Sequence, residues 1–147
     1  MYMMELITQY QYEAAACIAR IFLGFLFFFQ GYDALFNIGI KKVISTYKYG
    51  FKSKGVPGIL TTLAALFTTY TEFICGFLLI FGLFEIPALY LLGINLVVAA
   101  LGFGLNNPLW DMRHVFPRLI LLLFLLIIPL EWHNWSLDYL FFKHPVM

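Results

Sequence analysis

Residues 59–84, ILTTLAALFTTYTEFICGFLLIFGLF, form an apolar stretch of membrane length with one acidic side chain, Glu72, near its middle. A helix over this stretch is long enough to cross a hydrocarbon core of roughly 30 Å. A carboxyl group at that depth is costly unless it is protonated, paired or wetted by a cavity. Helical rotation of about 100° per residue gathers Thr61, Ala65, Thr68, Thr69, Glu72, Cys75, Gly76 and Leu79 into one stripe, while Phe67, Phe73, Phe77 and Phe81 point elsewhere. The small, polar stripe is therefore expected to face the inside of a helical bundle, carrying Glu72 with it, and the phenylalanines to face lipid.

The rest of the chain follows the same logic. Of its 147 residues 63% are hydrophobic and 12% charged, too little polar surface to cover a soluble globule. The reading is an all-α integral membrane four-helix bundle forming a single domain over residues 1–147, with spans at about residues 14–36, 59–84, 88–105 and 108–131. In the first span Arg20, Gly24, Phe27, Gly31 and Ala34 share a face, and the two glycines permit close approach of another helix. Only Glu85-Ile86-Pro87 separates the second and third spans, which makes them antiparallel neighbours. The third aligns Ala88, Leu92, Asn95, Ala99, Gly102 and Asn106. A fourth span starting at Pro117 would cover only about 22 Å. A start at Pro108 with Asn107 as cap and a kink at Pro117 is preferred, and it puts Asp111, His114 and Arg118 on one face.

Residues 38–54 are no span, because Lys41, Lys42, Lys48, Lys52 and Lys54 interrupt them. Ile40, Val43, Ile44, Tyr47 and Phe51 recur at helical spacing with the lysines opposite, the pattern of an amphipathic helix at the membrane surface. Gly55-Val56-Pro57-Gly58 then breaks that helix. The concentration of lysines, with Arg113, at one end predicts a cytoplasmic location for that end and an outside location for both termini. Glu5 and Glu13, rather than basic residues, precede the first apolar run, which is expected to remain as an anchor. A net charge of +1 without a basic tract argues against nucleic-acid binding. Cys17 and Cys75 form no C-x-x-C pair, and no three metal ligands converge by spacing, with His133 and His144 at the opposite end from Asp111 and His114.

Arg20, Glu72, Asn95 and Arg118 are the polar groups expected inside the bundle. Counting along antiparallel helices sets Arg20 and Asn95 near the end that holds the termini, with Glu72 deeper. One reading is structural: Glu72 is protonated or paired with Arg20 or Arg118 and fixes how helices associate. The other is a cavity for an amphipathic, lipid-soluble molecule such as a quinone, with Glu72 exchanging protons, Arg20 as countercharge or clamp, Asn95 as orienting donor and Arg118 as second countercharge. Asp138 lies toward the terminal side, where it is placed to pair with Arg20. A solute transporter is a third class, but no broken helices or paired repeats mark one.

Arg20-x3-Gly24 with Gln30-Gly31 resembles the first-helix pattern R-x-x-x-G…H-G of the DoxX-like family of small four-helix bacterial membrane proteins, with Gln30 where a histidine is often found. Glu72-x-x-Cys75-Gly76-x5-Gly82 is similar to that family's E-x-x-G-G-x5-G, with Cys75 in place of the first glycine, and Ser136-Leu137-Asp138 to its S-L-D. The resemblance implies a multi-pass protein of the bacterial plasma membrane in a redox neighbourhood, since the family takes its name from proteins associated with quinol oxidation. The implied role is an accessory or quinone-interacting subunit of a membrane complex, more than an enzyme acting alone, with protein partners and quinone as a non-covalent ligand. The alternative is a non-catalytic scaffold.

Overall fold

The computed structural model describes residues 2–106 and 108–142, with side chains at residues 10–105, 113 and 115–141. Asn107, Lys143 and His144, and the side chains of Asn106, Asp111 and His114, lie outside the described residues. Helix α1 (Tyr2–Tyr32) runs into a wider, π-helical segment (Asp33–Gly39), followed by α2 (Ile40–Lys52), α3 (Gly58–Phe81), α4 (Glu85–Asn106), α5 (Pro108–Ile127), a 3-10 turn (Leu130–His133) and α6 (Leu137–Phe142). Among the described residues there are no strands. By length and composition the stretches Tyr10–Lys52, Gly58–Phe81 and Glu85–Leu105 can each cross a membrane, and α5 adds the shorter apolar run Val115–Ile127.

Small residues set the bundle's closest contact. Gly24 of α1 faces Gly76 of α3 and Gly31 faces Phe73; a methyl group on Gly31 would fall on the backbone of Phe73, one on Gly76 on that of Phe28. The two backbones are packed without intervening side chains, as small-residue faces allow in membranes. The eight buried residues of α3 are Thr61, Ala65, Thr68, Thr69, Glu72, Cys75, Gly76 and Leu79, the stripe that helical rotation predicts. On α1, Arg20, Leu23, Gly24, Phe27 and Gly31 are buried, and on α4 Ala88, Leu89, Leu92, Asn95 and Leu96. Phe22, Phe25 and Phe29 are exposed on the other side of α1.

Element ends differ from expectation where capping decides them. Gly82, at φ 65° and ψ 44°, ends α3, with the Leu83 N–H donating to the Leu78 carbonyl at 2.9 Å. This left-handed stop leaves only Gly82–Phe84 as the connection. Glu85, Ile86 and Pro87 already belong to α4, whose first turn accepts a proline because its missing N–H has no helical partner to lose. At the far end Pro129, at φ −57° and ψ 143°, stops the last span near Ile127 rather than residue 131.

Helix α2 crosses α3. Near its start Val43 borders the same cavity as Gln30 and Asp33 of the first helical stretch, whereas Phe51, two turns on, reaches Gly102 of α4. The turn that permits this is Gly39, at φ 85° and ψ 134°, a conformation closed to most L-residues. Val43 is buried, and Lys41, Lys42, Lys48, Lys52 and Lys54 are exposed.

Candidate functional site

Glu72 is 3% exposed at the middle of α3. Its Oε1 accepts hydrogen bonds from Asn95 Nδ2 of α4 at 3.1 Å and from Gln30 Nε2 of α1 at 3.2 Å. Two amide donors hold one oxygen, which fixes the rotation of the carboxyl group. Among the described residues no donor reaches Oε2. Arg118 of α5 is half-buried, with its guanidinium 5.4 Å from the centre of the Phe27 ring, and it is near enough for its charge to act on Glu72. Every long helix of the bundle therefore contributes to the surroundings of this one acid.

The acid borders a cavity of about 250 Å³ whose walls include Gln30, Asp33, Val43, Tyr47 and Thr69. Asp33 and Ile38, also on its wall, are exposed, so the cavity runs from the acid to the surface. A second cavity of about 370 Å³ lies between α2, α3 and α4, bordered by Phe51, Leu60, Ala64, Val98, Ala99 and Gly102. Thr46, Tyr47 and Thr68 line both. Tyr47 and Thr68 both carry hydroxyls, which puts polar side chains at the junction of the two spaces.

Two of the expected site residues stand elsewhere. Arg20 is not the countercharge of Glu72: its Nη1 donates to Glu85 Oε2 at 3.1 Å and its Nη2 to the Trp135 carbonyl at 2.6 Å. The other oxygen of Glu85 meets His133 Nδ1 at 2.6 Å, and all three side chains are 5% exposed or less. Nor does Asp138 pair with Arg20. Its carboxylate accepts from the N–H groups of Phe84 and Glu85, each at 3.0 Å, and so caps α4. The physical reason is depth. Glu72 precedes Gly82 by ten residues of helix, about 15 Å, and a methyl group on Gly82 would lie 2.7 Å from Arg20 Nη1. Asn95, counted from the actual start of α4 at Glu85, lies at the depth of Glu72 and not of Arg20. The gap bordered by Arg20, Glu85 and His133 leaves no room for a water-sized molecule, so the cluster closes one end of the bundle like a latch.

Glu85 and His133 are the residues that sequence reasoning missed, one taken for a turn and the other for a tail. Arg20 and Glu85 were nevertheless assignable to the same end, and a buried guanidinium needs an acid at its own depth. Gln30 was noted only as the residue standing where the family's first-helix pattern often has a histidine; its spacing one turn past the buried Phe27 was the available signal. Among the described residues no three His, Cys, Asp or Glu side chains come together as metal ligands.

A model of the DoxX family matches residues 15–105, the part of the chain that carries Arg20, Gln30, Glu72, Glu85 and Asn95. No curated protein and no solved structure matches the chain.

Proposed function

The chain belongs to the DoxX family of membrane proteins, and on that premise we propose that it is an accessory, quinone-interacting subunit of a bacterial membrane redox complex. The observation that carries this reading is the half-satisfied carboxyl group of Glu72: one oxygen is held by Gln30 and Asn95, and the other has no protein donor among the described residues at the wall of a cavity. A quinol hydroxyl is a donor of the right kind for that oxygen. A bound quinol would supply two electrons to a redox partner subunit together with two protons, and Glu72 is the residue placed to take a proton and pass it along the cavity toward Asp33 and water. The Arg118 guanidinium lies near enough for its charge to act on the acid. The lysine-bearing end is assigned to the cytoplasm on the positive-inside rule.

The test is purification in mild detergent with partner proteins, extraction with organic solvent and mass spectrometry, for wild type and Glu72→Gln. Stoichiometric quinone in the wild type, lost in the variant while the same partners co-purify, is the expected result. Partner proteins with no small molecule in either preparation would leave a scaffold subunit instead.

A further inference from the structure

The two cavities differ in what they offer a ligand. The smaller presents Gln30, Asp33 and Glu72. The larger has no charged wall residue, and two of its hydroxyls are already spent on helix backbone: Thr46 Oγ1 donates to the Lys42 carbonyl at 2.9 Å and Thr61 Oγ1 to the Gly58 carbonyl at 3.0 Å. Polar groups of a ligand are thus held at one end only. Size points the same way. Small-molecule sites occupy roughly 300–1,000 Å³, and the space at Glu72, about 250 Å³, falls below that range unless it is joined to its neighbour.

The larger cavity also has a mouth toward lipid. Leu60, Leu101 and Leu105 border it and are at the same time 54%, 65% and 50% exposed on α3 and α4. In a bilayer these leucines meet acyl chains, so the opening is lateral and dry.

We infer that the cavity between α2, α3 and α4 holds the apolar chain of a ligand whose polar ring lies at Glu72, making the site selective for long-chain amphiphiles over the bare ring. The inference rests on the Glu72 reading and adds to it an entry route and a specificity. The ligand enters sideways between α3 and α4, ring first, and passes Tyr47 and Thr68 to reach the acid. Ala99 and Gly102 keep the chain's space open, since a methyl group on Gly102 would already lie 3.3 Å from the Phe51 ring.

Binding of two quinones with the same ring, one bearing a ten-carbon chain and one a methyl group, tests this in wild type and Ala99→Phe. Wild type should prefer the chain-bearing form by about tenfold or more, and in Ala99→Phe the ratio should fall to near one. A ratio near one in wild type, or a preference unchanged in the variant and so due to detergent partition, overturns the inference while leaving the Glu72 reading intact. Failure of wild type to bind either quinone overturns both. A photoreactive group at the chain's end, used on wild type, is independent of how the variant folds: adducts on Phe51, Leu60 or Val98 support the inference, and adducts confined to lipid-facing Phe22 and Phe29 of α1 refute it.

Discussion

Removing the Glu85 carboxylate leaves the Arg20 guanidinium buried without an anion, because the Trp135 carbonyl and the Cys17 sulfur are the other partners in reach. Glu85→Ala should therefore cost about 3–5 kcal/mol of unfolding free energy. His133→Ala removes one charge-assisted hydrogen bond and leaves Arg20 paired, for about 1.5–3 kcal/mol. Denaturant unfolding of the detergent-solubilised protein measures both, and equal losses would refute this division of labour. At this scale the sequence was legible where rotation alone decides, as for the eight buried residues of α3. It was misleading where depth decides. Arg20 was matched to Glu72 because both are charged and interior, although about 15 Å of helix separates Glu72 from Gly82, which touches Arg20.

Among the elements, α2 was readable because its lysines and apolar residues alternate with a helical period, whereas nothing in the sequence announced the π-helical segment before it. That segment is held by Asn37 Nδ2 donating to Asp33 Oδ1 at 2.8 Å and released at Gly39. A methyl group on Gly39 would meet nothing within 4 Å, so Gly39→Ala tests conformation without steric clash. The strained backbone costs about 1–3 kcal/mol. It should act on the path of α2, which helps wall both cavities. Hydrogen exchange should become faster in α2 and stay unchanged in the middle of α3; unchanged α2 would mean that its docking does not depend on the Gly39 turn. The termini of α4 and α5 were misjudged for a related reason. Capping by Asp138 and the stop at Pro129 are long-range and backbone facts that hydropathy does not carry.

The whole molecule keeps its two polar clusters at different depths, an open one around Glu72 and a closed one around Glu85. They share helices α1 and α4 but, among the described residues, no hydrogen bond. Sites this far apart without common partners add within about 0.5 kcal/mol, so unfolding energies of Glu72→Gln, Glu85→Ala and the double variant should close that cycle. A larger coupling would mean that the latch and the cavity move as one body. The all-α bundle of long apolar helices was evident from apolar length.

The latch also imposes an order of manufacture. Arg20 and Glu85 are synthesised before the chain has made α5, and only afterwards do the His133 ring, the Trp135 carbonyl and the Asp138 carboxylate exist to meet them. A chain whose last span fails to insert would therefore carry an uncapped start of α4 and a carboxylate short of one partner at the membrane boundary.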